Sequence, residues 1–239
     1  MRVKKYIPDF ITSLNLLCGV LGVIFSFKGM PHFAFPLMLL AAVFDFCDGL
    51  AARALDAYSD LGKELDSLAD CVSFGVLPAV MLYNMMVECT FGETVWCYAP
   101  VLIAVASGVR LAKFNVDERQ HSSFLGLPTP ACAMICGSLA YYVAVEPASF
   151  LCGLASGNVF VPVLSVVLSV LLVCELPMFS IKFKKDDPAV LRRKRLFFVI
   201  NCILCVALVI IIGASWSLAV LFAFTVYVLM NVAFAILKI

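Results

Sequence analysis

Long apolar stretches occupy most of this chain, and each is about long enough to cross a lipid bilayer. A spanning helix needs roughly 20 mostly apolar residues. Stretches of that kind lie at about 9–27, 33–52, 68–87, 97–113, 130–147, 158–178, 196–213 and 216–237. With 64% hydrophobic residues and a mean hydropathy of +1.06, a water-soluble domain would have to cover its surface with apolar side chains. The sequence therefore predicts an all-α integral membrane protein with about eight transmembrane helices.

The apolar stretches follow one another closely, which predicts a single polytopic membrane domain over residues 1–239. Catalytic helices are expected over about 1–178, and a C-terminal helical hairpin over about 196–237. Between them, the basic run 182–195 is expected to be an interfacial loop that is attracted to anionic lipid headgroups or helps to gather a lipid substrate.

The positions of the basic residues predict the orientation of the chain in the membrane. If the N-terminus is inside, every one of the 17 Lys and Arg residues except Lys28 falls on the cytoplasmic side. Such a bias is typical of cytoplasmic loops. Both termini are therefore predicted to be cytoplasmic, in a multi-pass protein of the cell inner (cytoplasmic) membrane.

An acidic stretch interrupts this apolar pattern between Asp45 and Asp70, with the spacing D-x2-D-G-x2-A-R-x8-G-x3-D-x3-D. On a helix, Asp45 and Asp48 project from one face, and so do Asp66 and Asp70. Four carboxylates brought together would repel one another strongly. Hard divalent cations relieve that repulsion, because they select oxygen ligands and negative charge. The stretch therefore predicts a two-metal site formed by these four residues.

Small and basic residues lie between the four carboxylates. Gly49 and Ala52 would let a flat ligand approach the backbone of the second helix, and Gly62 would do the same at the start of the third. Arg53 can donate two hydrogen bonds to a phosphate. This combination suits a pyrophosphate ester of a nucleotide. The alternatives are close helix packing at Gly49 and Ala52 and a membrane-surface anchor at Arg53.

The acidic stretch resembles the signature of the CDP-alcohol phosphatidyltransferase family at every fixed position. The resemblance implies transfer of a phosphatidyl group from a CDP-linked lipid to a small alcohol, with release of CMP, at a site that holds two Mg²⁺ or Mn²⁺ ions. It implies that Asp45, Asp48, Asp66 and Asp70 are metal ligands and that Asp70 is also the general base. The residues that it places around the CMP part of a bound CDP-lipid are Gly49, Ala52, Arg53 and Gly62.

A second polar segment, RLAKFNVDERQHSSFLGLPTP, follows the fourth apolar stretch. Together with the N-terminal IPDFITSLNLLCG, it resembles the branch of the family that uses L-serine. The candidate acceptor-binding residues are Arg110, Lys113, Asn115 and Arg119. An ordinary positively charged loop is the alternative for this segment, and a phosphate-bearing acceptor would also require basic residues.

The resemblance implies that the partners are CDP-diacylglycerol, L-serine and membrane lipids, in a homodimer and without nucleic acid. Within the enzyme class, the alternatives are another acceptor (glycerol 3-phosphate, an inositol phosphate or an amino alcohol) or an archaeal ether-lipid donor. From a different class, a cation transporter could use the same carboxylates. It would be expected to carry acidic residues on several helices, deep in the bilayer.

Overall fold

The computed structural model describes residues 6–117, 124–179 and 189–237. The helices are α1 (Ile7–Phe27), α2 (Pro31–Leu55), α3 (Asp60–Asp70), α4 (Leu77–Cys89), α5 (Val101–Val116), α6 (Thr129–Val145), α7 (Phe150–Ala155), α8 (Phe160–Val173), α9 (Ala189–Ile212) and α10 (Trp216–Leu237). A π-helical turn, Cys71–Val76, joins α3 to α4, and a 3₁₀ turn, Val95–Tyr98, precedes α5. The two-residue strands β1 (Phe124–Leu125) and β2 (Pro177–Met178) pair in antiparallel fashion.

The lengths of the helices confirm the predicted class of an all-α, multi-pass membrane protein. In the part of the chain that the structure describes, six segments are long and apolar enough to cross a membrane. They are Ile7–Phe27, Pro31–Leu55, Asp60–Cys89, Val95–Val116, Leu191–Ile212 and Trp216–Ala235. The helices α6 and α8 coincide with the fifth and sixth predicted spans but are shorter. A total of eight spans and the cytoplasmic location of the termini stay predictions.

The structure defines three boundaries more closely than the apolar pattern does. The third helical stretch begins at Asp60, close to the predicted entry at Gly62 and ahead of the apolar stretch that starts near 68, and the Ser59 side chain caps it by accepting a hydrogen bond from the Gly62 amide. The sixth ends at Val173 rather than 178, because the chain becomes extended and forms β2. The basic residues 192–195 lie in the first turns of α9 and not in a loop, whereas 182–188 fall outside the described residues.

The turn between α2 and α3 is short, and it brings the two halves of the acidic stretch together. α2 ends at Leu55, and Asp56 takes a left-handed conformation with φ of 48°. The Ala57 amide then donates to the Ala52 carbonyl at 3.0 Å, which closes the helix end. Since α3 begins at Asp60, the last turns of α2 and the first turns of α3 lie at the same end of the bundle.

The first helix packs unusually close to the continuous helical stretch that follows α2. A Cβ added at Gly19 would lie 2.3 Å from Ser73 Oγ, so only glycine permits this approach of the two backbones. At this approach, the Ser73 hydroxyl donates a hydrogen bond to the Asn15 carbonyl at 3.1 Å. This contact places the polar residues of α1 directly against the part of the chain that carries the carboxylates.

Candidate functional site

Three of the predicted carboxylates form one cluster. Asp45 and Asp48 come from α2 and Asp66 from α3, and each offers an oxygen within 4.8 Å of the others. Asp48 is buried, while Asp45 and Asp66 are partly exposed. An all-carboxylate set of this kind is the donor chemistry that hard divalent cations prefer. The cluster therefore fits the predicted metal site.

The hydroxyl of Thr12 on α1 orients the most buried of the three carboxylates. Thr12 Oγ1 donates to Asp48 Oδ2 at 2.7 Å, and Thr12 itself is almost fully buried. Partners of this kind fix the direction of a metal-ligating carboxylate and contribute to metal affinity. The sequence analysis missed Thr12. A signal was available, because Asp9, Thr12 and Asn15 recur every three residues along a mostly apolar helix.

The fourth carboxylate, Asp70, lies next to the cluster but is held separately. Asn15 Nδ2 donates to Asp70 Oδ1 at 3.2 Å, and both side chains are buried. Asp70 still lies close enough to Asp45 and Asp66 to be repelled by their charges. It is the last residue of α3 before the π-helical turn, and π-helical turns are frequent at functional sites.

A cavity of about 220 Å³ opens beside the carboxylate cluster, between α1, the end of α2 and the start of α3. Its lining residues are Pro8, Asp9, Thr12, Asp48, Gly49, Ala52, Ala57, Tyr58, Ser59, Gly62, Lys63 and Asp66. A Cβ added at Gly49 would meet no atom within 4 Å. Helix packing does not require a glycine at this position, in contrast to Gly19, so the small residue leaves room in the cavity.

The other residues predicted to surround the CMP part of a bound CDP-lipid have different surroundings. Ala52 lines the cavity. Gly62 also lines the cavity. A Cβ there would lie 2.7 Å from Asp9 Oδ1 and 2.9 Å from Ser59 Oγ, so a side chain at this position would collide with Asp9 on α1 and with the Ser59 cap of α3. Arg53 is exposed and lies outside the lining.

The predicted acceptor residues separate into a buried one and surface ones. Arg110 on α5 is only 6% exposed and lies close enough to Asp70 for the two charged groups to interact electrostatically. Among the described residues, no group accepts a hydrogen bond from Arg110 Nε. Lys113 is exposed and donates to the Val173 carbonyl, while the Asn115 amide donates to Ser67 Oγ at 2.9 Å. Arg119 lies outside the described residues.

Comparison with known sequences assigns the chain to a family. A profile of the CDP-alcohol phosphatidyltransferase family matches residues 5–183, which include the four carboxylates and Arg110. This protein belongs to that family. The match includes α1 to α8 and ends before α9.

Several curated proteins with related sequences are named as serine phosphatidyltransferases or as an archaetidylserine synthase. A CDP-diacylglycerol–serine O-phosphatidyltransferase of Bacillus subtilis is 34% identical over 152 residues, which are 63% of this chain and 85% of the relative. One of Methanocaldococcus jannaschii is 36% identical over 129 residues, 54% of this chain and 57% of the relative. An archaetidylserine synthase of Methanothermobacter thermautotrophicus is 36% identical over 135 residues, 55% and 56% respectively. The chain thus spans most of the first relative but little more than half of the other two.

Replacement of Thr12 by Val tests whether the hydrogen bond to Asp48 supports a metal site. The change keeps the shape of the side chain and removes the 2.7 Å hydrogen bond. We expect affinity for Mn²⁺ to fall by about 10- to 100-fold, as for other residues that orient a metal ligand. Titration of the purified protein, followed by the electron paramagnetic resonance signal of free Mn²⁺, measures this affinity.

The matched control for that titration is Ser13→Ala. The Ser13 hydroxyl donates to the Asp9 carbonyl on the exposed face of the same helix, so its loss should leave Mn²⁺ affinity unchanged. Equal Mn²⁺ affinity in Thr12→Val and the unmodified protein would show that Thr12 does not support a metal ligand.

Proposed function

We propose that this protein transfers the phosphatidyl group of CDP-diacylglycerol to the hydroxyl of L-serine, giving phosphatidylserine and CMP. The observation that carries the proposal is the carboxylate cluster of Asp45, Asp48 and Asp66 beside a cavity, with Asp70 and the buried Arg110 next to it. The names of the related proteins supply the donor and the acceptor.

The donor is proposed to bind with its CMP part in the cavity between α1, α2 and α3. Two divalent cations, Mg²⁺ or Mn²⁺, held by Asp45, Asp48, Asp66 and Asp70, would neutralise the charge on the pyrophosphate and on the departing CMP. The open space over Gly49 and the small side chain of Ala52 admit the nucleotide. Gly62 borders the same cavity. Arg53 is exposed at the end of α2, and we propose that it forms hydrogen bonds with a phosphate of the bound CDP-diacylglycerol.

Asp70 is proposed to act as the general base. The serine Oγ attacks the phosphorus of the phosphatidyl group, the bond from that phosphorus to the CMP oxygen breaks, and the hydroxyl proton passes to Asp70. Asn15 holds Oδ1 of Asp70 through its amide, which leaves the other oxygen, Oδ2, to receive the proton. The cavity lining contains one serine, Ser59, whose hydroxyl caps α3, so a direct displacement is favoured over a covalent intermediate.

Arg110 is proposed to bind the carboxylate of the acceptor. A buried guanidinium is costly unless an acceptor for its hydrogen bonds is present. The carboxylate of a bound serine would accept hydrogen bonds from Arg110. It would also place the serine hydroxyl near Asp70, since Asp70 and Arg110 are close enough to interact electrostatically. Lys113 and Asn115 are proposed as weaker contacts nearer the membrane surface, and Arg119, outside the described residues, stays a candidate from the sequence.

The proposal includes a location and an assembly. The distribution of Lys and Arg favours an active site that faces the cytoplasm, in the inner membrane of the cell. There the enzyme would meet both the lipid donor and cytosolic serine. The resemblance to the family also favours a homodimer.

Release of CMP by the purified protein tests the reaction and its acceptor. The assay contains CDP-diacylglycerol, Mn²⁺ or Mg²⁺, and one alcohol at a time: serine, glycerol 3-phosphate, an inositol phosphate or ethanolamine. We expect release only with serine, and reversible loss of it when a chelator removes the divalent ions. Release with a different alcohol would reject serine as the acceptor. No release with any alcohol, from folded protein, would reject the transferase and favour a cation transporter.

Replacement of Asp70 by Asn tests the role of the general base. The amide keeps the size of the side chain but cannot take a proton, so we expect kcat to fall by about 100-fold or more. Glu64→Gln is the matched control, because Glu64 is an exposed acid on the same helix and should be replaceable without loss of activity. Retention of most of the activity by Asp70→Asn, at an unchanged Tm, would rule out Asp70 as the base.

A further inference from the structure

We propose that the side-chain carbonyl of Asn15 binds the ammonium group of the acceptor and so selects an amino acid over alcohols that carry no amino group. The inference rests on the proposed function, since that function brings the hydroxyl of L-serine to Asp70 and its carboxylate to Arg110. The ammonium is the remaining polar group of serine, and it needs a hydrogen-bond acceptor beside these two residues.

The Asn15 side chain is held in a defined orientation next to the proposed base. Nδ2 donates to Asp70 Oδ1 at 3.2 Å, and the whole Asn15 side chain is buried. Because an ionised carboxylate can only accept hydrogen bonds, the NH2 end of the amide has to face Asp70. The carbonyl oxygen, Oδ1, is therefore directed away from Asp70, although it belongs to the same small amide group.

The side-chain carbonyl of Asn15 lacks a hydrogen-bond donor. Oδ1 is buried, and no group in the described part of the chain donates to it. Buried side-chain oxygens are usually paired, so an exception calls for an explanation. A donor on a bound ligand would supply the missing partner. Because Oδ1 is enclosed by protein, the ligand has to displace neighbouring side chains as it binds, and the new hydrogen bond offsets part of that cost.

The backbone of Asn15 is held in place as well as its side chain. Ser73 Oγ donates to the Asn15 backbone carbonyl at 3.1 Å, where Gly19 lets α1 approach the π-helical turn. Asn15 is thus attached at two points to the helical stretch that carries Asp70. An acceptor oxygen that is already oriented costs a ligand little to engage.

Helix α5 brings the residue proposed for the acceptor carboxylate to the same turn. A Cβ added at Gly75 would lie 3.0 Å from the Cβ of Ser107, so α5 lies directly against the π-helical turn that follows Asp70. Arg110 comes three residues after Ser107 and belongs to the same buried face of α5. The helices α1 and α5 therefore both contact this turn, one with Asn15 and the other with Arg110.

The three side chains match the three polar groups of L-serine. Arg110 offers a cation to the carboxylate, Asp70 Oδ2 accepts from the hydroxyl, and Asn15 Oδ1 accepts from the ammonium. The hydroxyl and the ammonium of serine are on adjacent carbons, and Asp70 and Asn15 are adjacent through their hydrogen bond. An amide also binds an ammonium without adding another negative charge to the repulsion among the four carboxylates. Glycerol 3-phosphate has no cation for this oxygen.

Replacement of Asn15 by Leu tests the contact, since leucine keeps the branched shape and removes both hydrogen-bonding atoms. Saturation-transfer NMR with Mg²⁺ and CMP present measures Kd for L-serine and for 3-hydroxypropionate, which is serine without its amino group. In the unmodified protein, we expect serine to bind about 10- to 100-fold more tightly, as for one hydrogen bond to a charged group. In Asn15→Leu this preference should largely disappear, because Kd for serine rises while Kd for 3-hydroxypropionate changes little.

The matched control is Ser26→Ala. Ser26 is buried about three turns further along α1 and accepts a hydrogen bond from Asn84 Nδ2 at 2.9 Å. Its loss should leave the preference for serine unchanged. A second variant, Asn15→Ser, has a side chain too short to place its oxygen at the position of Oδ1, and it should lose the preference even if the leucine variant does not fold.

Two results would overturn the role of Asn15. Equal weakening of both ligands in the Asn15 variants would limit this residue to the support of Asp70. Equal affinity of the unmodified protein for both ligands would show that no group binds the ammonium.

Failure of the proposed function gives a different result, because it appears in the CMP-release assay of the unmodified protein. Serine-dependent release without a loss of serine preference in the Asn15 variants would keep the function and reject the role of Asn15. Release that depends only on an alcohol without an amino group would reject both. With no release at all, a serine preference that requires Asn15 would still support an amino-acid site at this position.

Discussion

Mutual repulsion of carboxylates inside an apolar helical protein is the constraint on which the rest of this structure depends. Three of them converge within 4.8 Å, and a fourth lies beside them. In surroundings of low dielectric constant, such a cluster is strongly unfavourable without compensating charge. The surrounding elements hold these groups together, and the proposed cations would supply the compensating charge.

The first helix provides much of that support. Its approach to the π-helical turn is possible because Gly19 has no side chain, and it brings Thr12 to Asp48 and Asn15 to Asp70. Two of the four carboxylates therefore receive a hydrogen bond from α1. The tight turn at Asp56 contributes separately, since it places α2 and α3 at the same end of the bundle. The carboxylates are thus positioned by contacts between helices and by the turn that joins α2 to α3.

The sequence predicted the parts of this account that depend on local spacing. Apolar stretches of spanning length predicted the helices, and the three- and four-residue spacings of Asp45–Asp48 and Asp66–Asp70 predicted the convergence of carboxylates on two helices. The apolar pattern marks the third stretch only from about 68, because α3 begins in a polar turn that Ser59 caps. The end of α8 was misplaced because β2 pairs with a distant strand.

The remaining residues depend on contacts between segments far apart in the chain, which no local pattern encodes. Thr12 supports Asp48 across 36 positions, and Asn15 holds Asp70 across 55. Of the acceptor residues predicted from a single basic segment, the structure buries Arg110, while Lys113 and Asn115 contact neighbouring helices. Residue type and spacing identified the segment, but packing decides which of its side chains turns inward.

The central claim is that the carboxylate cluster binds divalent cations, and the most direct measurement is anomalous X-ray scattering from crystals grown with Mn²⁺. The account predicts two anomalous peaks within coordination distance of Asp45, Asp48 and Asp66, with one of them near Asp70, and their loss in Asp48→Asn. An occupied Mn²⁺ site elsewhere, together with an empty cluster at saturating Mn²⁺, would contradict it.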